Sequence, residues 1–231
     1  MRRAPLVAGA GAAAAWSAPA LAAVWPPVAH ALRIERRLPG RPQAVGLTFD
    51  DGPHREGTPA ILECLARAGA SATFFLVGEQ VERDASLAAE IASAGHSIGV
   101  HAYRHRNLLR LTRRQLAADL DRAAEVIGSA TGSPPRLHRP PYGIFSPLGL
   151  RMVRRRGWRP LLWSRWGRDW SAGATATSIA DLLTRRLAAG DVLLLHDADH
   201  YSAPGSWRRT ASALPRVLEA IESRGLRPIV P

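Results

Sequence analysis

Residues 44–53, AVGLTFDDGP, join a short apolar run to two acidic residues and a Gly-Pro pair. An apolar run of this length, bounded by turn residues, is typical of a buried β-strand, so we predict a strand from Ala44 to Phe49. Asp50 and Asp51 then lie at the C-terminal end of that strand. Their adjacent carboxylates point in different directions, so one can bind a metal ion while the other stays free as a base. The Asp-Asp-Gly-Pro sequence also favours a simple turn, and this second interpretation stays open.

Apolar runs and helical periodicity alternate along the rest of the chain. We predict strands over residues 44–49, 73–77, 97–100, 137–139, 160–163, 192–195 and 227–230. The apolar spacing predicts helices over residues 59–68, 86–94, 112–127, 147–156, 179–188 and 212–224. This alternation predicts an α/β fold with a parallel sheet of about seven strands, open or closed into a barrel. At 231 residues the chain is long enough for one sizeable core and short for two, so we predict a single catalytic domain.

Polar residues cluster at the C-terminal ends of the predicted strands. Those at or just after such an end are Asp50, Asp51, His101, His105, Arg139 and His196. Asp169 lies in a loop six residues past Trp163 and is placed less securely. In a (β/α) barrel the C-terminal edge of the sheet is where catalytic groups converge, so we expect these segments to meet in one pocket.

His101 and His105 are four residues apart, which on a helical turn lets both imidazoles face one ion. A lone histidine pair is a weak signal, and a purely structural role is equally open. Asp51 strengthens the metal interpretation, because it would complete a site of two histidines and one aspartate. Three protein ligands with an open fourth position are expected of a hydrolytic zinc site.

Composition excludes some chemistry and leaves the partner open. All 31 basic residues are arginine, so no lysine can form a Schiff base or a P-loop contact. The net charge of +12 would attract nucleic acid, an anionic membrane or an acidic polymer, and it also fits a solvated basic surface. No interleaving of aromatic and basic residues supports nucleic acid, so we expect no nucleic-acid partner. The single cysteine, Cys64, permits no internal disulfide.

The N-terminal residues have the pattern of a targeting segment. Arg2 and Arg3 precede an almost uncharged stretch that reaches Val28, and Ala20-Leu21-Ala22 offers a small-residue cleavage pattern. We predict a signal peptide or an uncleaved membrane anchor over residues 1–28, a basic linker over 29–43 and the catalytic domain over 44–231. Either form of the segment places the domain outside the cytoplasm, secreted or attached to the membrane. A disordered alanine-rich tail is the remaining alternative.

Five segments, in order, resemble the motifs of polysaccharide deacetylases with the NodB homology domain, carbohydrate esterase family 4. These segments are Thr48 to Pro53, His101 to His105, Arg139 to Gly143, Asp169-Trp170 and Leu193 to Asp197. The resemblance spans about residues 44–231. It implies a deformed (β/α) barrel and hydrolysis of an N-acetyl, sometimes an O-acetyl, group on a sugar.

The resemblance also implies a metal site and a base. Asp51, His101 and His105 match the metal ligands, and Asp50 matches the general base that activates water. Arg139 would pair with Asp50 and keep it ionised and oriented. The implied cofactor is a divalent ion, zinc first, with cobalt or another divalent ion also open.

The resemblance further implies a general acid and a set of substrate-binding residues. His196 matches the general acid that protonates the leaving amine, and Asp169 would hold its ring. The backbone N–H of Tyr142 would stabilise the oxyanion. Trp170 and Leu194 would contact the acetyl methyl group, although either could equally be an ordinary core residue.

One residue departs from the family pattern, and several functions stay open. Where the family usually has Ser or Thr after the first metal histidine, this chain has Ala102, which puts the rigidity of that loop in question. The leading hypothesis is an N-deacetylase of N-acetylglucosamine units in peptidoglycan, chitin-like oligomers or another envelope glycan. The alternatives are a deformylase or deacetylase of a lipid-linked amino sugar and a non-catalytic glycan-binding module. The sequence carries no signal for an oligomeric state.

Overall fold

The structure is a computed structural model that describes residues 18–231. Its strands are β1 (Ala44–Asp50), β2 (Thr73–Val77), β3 (Ser97–Ala102), β4 (Leu137–His138), β5 (Arg159–Pro160), β6 (Arg165–Trp166), β7 (Val192–His196) and β8 (Arg227–Pro228). Its α-helices are α1 (Pro26–Ala31), α2 (Gly57–Arg67), α3 (Gly78–Arg83), α4 (Ala85–Ser93), α5 (Arg113–Thr131), α6 (Pro147–Arg155), α7 (Ala176–Thr184) and α8 (Ser206–Glu222). Short 3₁₀ turns occur at Ala18–Ala23, Leu108–Arg110 and Pro141–Gly143.

The strands form one curled parallel sheet with helices around it. The order across the sheet is β5-β4-β3-β2-β1-β7-β6, and β8 pairs with the start of β1. The architecture confirms the predicted single-domain α/β fold, a deformed (β/α) barrel. Within the sheet, Asp50 is in register with His196 of β7 and with Phe75 of β2. The register therefore places the end of β1 beside the end of β7.

Burial follows from the position of each element. All seven residues of β1 are buried, because a central strand of a parallel sheet is covered on both faces. Helix α5 buries Leu116, Leu120, Ala123 and Ile127, whose spacing puts them on one helical face. A capping box formed by Thr112 and Gln115 begins this helix, and Gly132 ends it with a φ of 69°.

The strand predicted over residues 160–163 is shorter in the structure. Strand β5 comprises only Arg159–Pro160, because the next backbone carbonyls bind arginine side chains instead of a neighbouring strand. The carbonyl oxygens of Leu161 and Leu162 accept hydrogen bonds from the Arg139 guanidinium, each at 3.0 Å. The carbonyl of Trp163 accepts one from Arg36 at 2.9 Å.

Besides the short helix α1, a helix and a strand within the sheet region were not expected from the sequence. Helix α3 follows β2 without an intervening turn, and its six residues are too few to show a helical period. Strand β6 has two residues, Arg165 and Trp166, which pair with Leu193 and Leu194 of β7. Both elements depend on neighbours that are distant in the sequence.

Residues 29–43, which we expected to be a linker, pack against the barrel. Ile34 and Leu38 are buried. The backbone of Glu35 donates to Pro160 at 3.1 Å and accepts from Leu162 at 2.8 Å, while Leu38 donates to Gly190 at 2.8 Å. The segment therefore connects the free edge of β5 to the residues that precede β7.

The predicted targeting segment lies only partly within the described residues. Residues 1–17 are outside them, and residues 18–28 comprise a 3₁₀ turn and the start of α1. In this part Ala22 and Ala23 are buried, whereas Leu21, Val24 and Trp25 are exposed. Between residues 18 and 231, no helix combines the length and the apolar character that crossing a bilayer requires.

His138 in β4 is a polar residue in an apolar position. Its ring is fully buried, packed parallel to Trp158 at 6.0 Å and tilted against Phe145 at 5.7 Å. Neither ring nitrogen has a hydrogen-bond partner among residues 18–231. Burial lowers the pKa of His138 to about 3, so the folded protein holds the neutral imidazole at ordinary pH.

We predict that His138→Phe stabilises the protein by about 1–3 kcal/mol at neutral pH, because it removes a buried polar group that has no partner. The gain should grow as pH falls below about 6.5, since the unfolded wild type then binds a proton that the folded state binds only near pH 3. Urea unfolding at several pH values measures both effects. His96→Phe is the control, because His96 Nδ1 accepts the Ala72 N–H and its replacement removes a hydrogen bond. A wild-type or lower stability of His138→Phe would contradict the prediction.

Candidate active site

The C-terminal edge of the sheet surrounds a cavity of about 360 Å³. It is lined by Asp50, Asp51, His101, His105, Tyr142, Gly143, Trp163, Trp166, Trp170, Leu194, His196, Tyr201 and Ser202. Eight of the ten residues proposed from the sequence are in this lining. The other two, Arg139 and Asp169, lie directly behind it, each hydrogen-bonded to a lining residue.

Three potential ligand atoms converge at one side of the cavity. Asp51 Oδ1 lies 3.3 Å from His101 Nε2 and 3.4 Å from His105 Nε2. One donor atom from each residue lies within 4.8 Å of the others. Asp51 Oδ1 is buried and has no hydrogen-bond partner in the described part of the chain. Two imidazole nitrogens and a carboxylate oxygen are the donor set of hydrolytic zinc sites, so these residues could hold a divalent ion.

The local backbone explains why Asp50 and Asp51 point to different places. Asp50 ends β1 in the extended conformation of the strand, whereas Asp51 has a φ of 79°. Few residues other than glycine adopt this left-handed region, so the turn at Asp51 is held by its surroundings. The next residue must be glycine, because a Cβ at Gly52 would collide with the buried carboxylate of Asp197.

Each of the two histidines has a property that a metal ligand requires: the ring of His101 is oriented, and His105 is neutral. His101 Nδ1 donates to the carbonyl oxygen of Arg139 at 2.8 Å, which leaves the lone pair of Nε2 facing Asp51. Burial lowers the pKa of His105 to about 4, although Asp51 opposes this shift. Burial alone would raise the pKa of Asp51, but the neighbouring His101 imidazole and the charge of His196 hold it at about 2. The carboxylate form therefore prevails.

Asp50 is paired with a buried arginine. Arg139 has no exposed surface, and its Nη1 lies 2.7 Å from Asp50 Oδ1 and 2.8 Å from Thr48 Oγ1. The guanidinium lies over the ring of Phe75, with its carbon 4.1 Å from the ring centre. Asp50 Oδ2 makes no hydrogen bond to any residue from 18 to 231 and lies 4.0 Å from His101 Nδ1. One oxygen of Asp50 is thus held, and the other is available to a molecule in the cavity.

His196 faces the same cavity and is paired with Asp169. The ring Nδ1 donates to Asp169 Oδ1 at 3.0 Å, and His196 Nε2 lies 4.0 Å from Asp51 Oδ2. Asp169 is fully buried, and its Oδ2 accepts from the His196 backbone N–H at 2.7 Å and from Thr210 Oγ1 at 2.8 Å. Burial lowers the pKa of His196, but the charge and hydrogen bond of Asp169 outweigh it and raise the pKa to about 10. The pairing with Asp169 therefore stabilises the protonated form of the imidazole.

The loop after β4 places a free backbone N–H at the cavity. Pro140 and Pro141 have no N–H, and Tyr142 adopts a φ of 60° and is 58% exposed. The Tyr142 N–H makes no backbone hydrogen bond within the described residues, whereas the N–H groups of Gly143 and Ile144 turn back to the two prolines. The Tyr142 N–H thus has no backbone partner, and its residue lines the cavity.

Aromatic residues form the opposite wall. Trp163, Trp166 and Trp170 follow one another with ring centres 5.8 and 5.6 Å apart, and Trp170 meets the His196 ring edge-on at 5.5 Å. Leu194 of β7 is buried and completes this apolar side. The wall could accept a methyl group or the face of a sugar ring.

Tyr201 and Ser202 also line the cavity, and sequence reasoning missed both. They follow His196 by five and six residues in an irregular loop, with no spacing that marks them. Their only signal is closeness to the motif from Leu193 to Asp197. The ring of Tyr201 stacks on His105, with centres 4.2 Å apart and planes 10° apart.

The loop between the two histidines is braced from α5. Asp119 is buried, and its Oδ2 accepts the Tyr103 backbone N–H at 2.8 Å. Its Oδ1 accepts from Arg106 at 2.7 Å, and the Tyr103 carbonyl accepts the Glu79 backbone N–H at 2.9 Å. The loop is therefore held on both sides although Ala102 supplies no hydroxyl.

Fold and cavity together define a barrel-type hydrolase site with a place for a divalent ion, and comparisons with known proteins identify the family. The sequence model described as polysaccharide deacetylase matches residues 37–161. A peptidoglycan-N-acetylglucosamine deacetylase of Bacillus cereus is 33% identical over 184 residues, which are 79% of this chain and 65% of that protein, just under two thirds. A chitooligosaccharide deacetylase of Azorhizobium caulinodans is 32% identical over 196 residues, covering 82% of this chain and 93% of that protein.

A solved structure agrees with these relatives. The crystal structure of a peptidoglycan N-acetylglucosamine deacetylase in complex with 4-naphthalen-1-yl-N-oxidanyl-benzamide matches with a TM-score of 0.81 at 29% identity. The match covers 89% of this chain and 94% of that one. The chain belongs to the polysaccharide deacetylase family, as the five motifs predicted. The predicted enzyme class, a carbohydrate N-deacetylase among the hydrolases, is confirmed with it.

Proposed function

We propose that this protein removes N-acetyl groups from N-acetylglucosamine units of a polysaccharide or oligosaccharide with the help of a divalent metal ion. One observation carries the proposal: a ligand set, an arginine-paired carboxylate and an aspartate-paired imidazole face one cavity. The names of the two relatives support the substrate class, since one is a peptidoglycan-N-acetylglucosamine deacetylase and the other a chitooligosaccharide deacetylase.

Asp51, His101 and His105 would hold the ion. Their donor atoms and the unpartnered Asp51 Oδ1 fit zinc, and the same set also suits cobalt or another divalent ion. A bound divalent ion would supply Lewis acidity, which polarises a carbonyl oxygen and makes water more acidic. Tyr142 lines the same cavity as these residues, and its backbone N–H is proposed to donate to an amide oxygen bound there.

Asp50 is proposed to act as the general base. Its Oδ1 is fixed by Arg139, and its Oδ2 would take a proton from the attacking water. The buried guanidinium forms an ion pair with this carboxylate at 2.7 Å, and loss of either partner would leave a buried charge unmatched. Arg139 therefore acts on the reaction through Asp50.

His196 is proposed to act as the general acid. Its Nε2 faces the cavity near Asp51, while Nδ1 is held by Asp169, so the proton on Nε2 would go to the nitrogen of the leaving amine. The Tyr142 N–H would donate to the oxyanion that forms during the attack. Trp170 and Leu194 would contact the acetyl methyl group on the apolar wall.

We also infer that the enzyme acts outside the cytoplasm, exported or anchored through residues 1–28. The uncharged stretch after Arg2 and Arg3 supports export, and a peptidoglycan-directed relative supports an envelope substrate. Membrane association through this segment belongs to the same proposal.

Acetate release from chitooligosaccharide by the zinc-loaded protein tests the proposed function. We expect acetate in the presence of zinc or cobalt and a loss of release when a chelator removes the metal. Formate release from an N-formyl amino sugar, without acetate release from the glycan, would favour the deformylase alternative. Glycan binding without any release under all metals would show a non-catalytic module.

The two neighbouring aspartates should respond differently to the same substitution. Asp50→Asn should keep the bound metal but lower the rate of acetate release by about 10² to 10⁴, the usual range for a lost general base. Asp51→Asn replaces an anionic ligand, so metal content should fall together with activity, and excess metal should partly restore the rate. Metal stoichiometry and rate are measured on both purified variants. Loss of metal in Asp50→Asn with retention in Asp51→Asn would reverse the two assignments.

The pH dependence of the rate tests the acid. His196 must be protonated to donate, and Asp169 raises its pKa to about 10, so the rate should fall as pH rises through that range. Asp169→Asn removes the charge that raises the pKa, so the alkaline limb of the profile should move to lower pH. Asp191→Asn is the control, because Asp191 is also buried but pairs with Arg37 and Arg165 away from the cavity. An unmoved limb in Asp169→Asn would argue against His196 as the acid.

A further inference from the structure

The two histidines proposed as metal ligands are supported in different ways. His101 Nδ1 donates to a backbone carbonyl, which fixes the plane of its ring. His105 Nδ1 is buried and has no hydrogen-bond partner among residues 18–231. A metal-binding histidine is normally held by a hydrogen bond to its second ring nitrogen. Without that bond, the imidazole can rotate about its Cβ–Cγ bond. His105 therefore needs another support.

Tyr201 provides a flat surface for the His105 ring. The two rings are stacked, with centres 4.2 Å apart and planes only 10° apart. Tyr142 meets the same imidazole edge-on at 4.5 Å, but Tyr142 is an exposed residue. Tyr201 thus lies against the ring face, where it opposes rotation in both directions.

The far end of Tyr201 is held by helix α3. Its hydroxyl donates to Glu79 Oε1 at 2.9 Å and accepts from Gln80 Nε2 at 3.0 Å. Gln80 is buried, and the Glu79 backbone N–H donates to the carbonyl of Tyr103 in the histidine loop at 2.9 Å. The same helix end therefore holds both the loop that carries His105 and the ring that stacks on it.

We propose that Tyr201 is a positioning residue that fixes the His105 imidazole so that Nε2 points at Asp51 Oδ1, 3.4 Å away. The stacked ring takes the place of the hydrogen bond that Nδ1 lacks. The inference rests on the proposed metal site and adds a residue that does not itself coordinate. Without Tyr201, the imidazole must be ordered by the metal itself, which weakens binding.

Metal affinity of three purified proteins tests this proposal. The zinc dissociation constants of the wild type, Tyr201→Leu and Tyr201→Phe are measured by competition with a chromophoric chelator. Tyr201→Leu should bind zinc about 10- to 100-fold more weakly, as expected when a residue that orients a ligand is lost. Tyr201→Phe keeps the stacked ring and loses only its hydroxyl hydrogen bonds, so its zinc affinity should fall clearly less than that of Tyr201→Leu. The visible spectrum of the cobalt-loaded proteins should change in Tyr201→Leu only, because it reports ligand geometry.

Trp207→Leu is the matched control. Trp207 lies 5.8 Å from the ring of His54, a histidine outside the ligand set, so its loss removes an aromatic neighbour of a histidine without touching the metal site. Thermal unfolding of the metal-free proteins checks the fold, and Tyr201→Met replaces Tyr201→Leu if the leucine variant does not fold. Wild-type affinity and spectrum in Tyr201→Leu would overturn the proposal. Equal losses in Tyr201→Leu and Tyr201→Phe would also overturn it, by assigning the effect to the hydroxyl.

The same zinc-binding measurements show separately whether the proposed ligand set is wrong. If the wild type binds no zinc, or if Asp51→Asn binds it equally well, the proposed ligand set is wrong whatever Tyr201 does. If the wild type binds zinc and Asp51→Asn does not, the comparison of the Tyr201 variants decides the positioning role alone.

Discussion

The buried ion pair between Arg139 and Asp50 constrains the rest of this structure. A fully buried guanidinium is tolerated only when its donors and its charge are matched, since an unpaired buried charge costs several kcal/mol. Arg139 meets this requirement with the Asp50 carboxylate, the Thr48 hydroxyl and the carbonyls of Leu161 and Leu162. These partners come from β1 and from the segment after β5, so the pair joins the centre of the sheet to its edge.

The pair also explains why two adjacent aspartates can be given different tasks. The extended backbone of β1 directs Asp50 toward Arg139, and the left-handed φ of Asp51 then turns the next carboxylate toward His101 and His105. The turn also requires glycine at position 52, because the Asp197 carboxylate occupies the space of a Cβ there. Backbone geometry, rather than any difference between the side chains, separates the proposed base from the proposed ligand.

Sequence reasoning was strongest where structure depends on local pattern. The strand over residues 73–77 has the predicted bounds, and the predicted polar residues meet because parallel strands bring their C-terminal ends to one edge. Sequence reasoning was weakest where contacts between residues far apart in the sequence determine the structure. The end of β5 is set by hydrogen bonds from Arg36 and Arg139, and no local pattern indicates the contact between Glu35 and Leu162. Tyr201 could not be found, because nothing in its loop marks a contact with His105.

Arg139 links the two halves of the site in a way that the motif alone does not indicate. Its side chain holds Asp50, and its backbone carbonyl accepts the Nδ1 hydrogen of His101. The proposed base and one proposed ligand are therefore oriented by the same residue, so a shift in the β4 end would disturb both. His105 stands outside this arrangement, since its loop is braced by Asp119 of α5 and its ring by Tyr201. The site thus combines a rigid half built on the sheet with a half held by helix and loop contacts, and the geometry of His105 depends on the second.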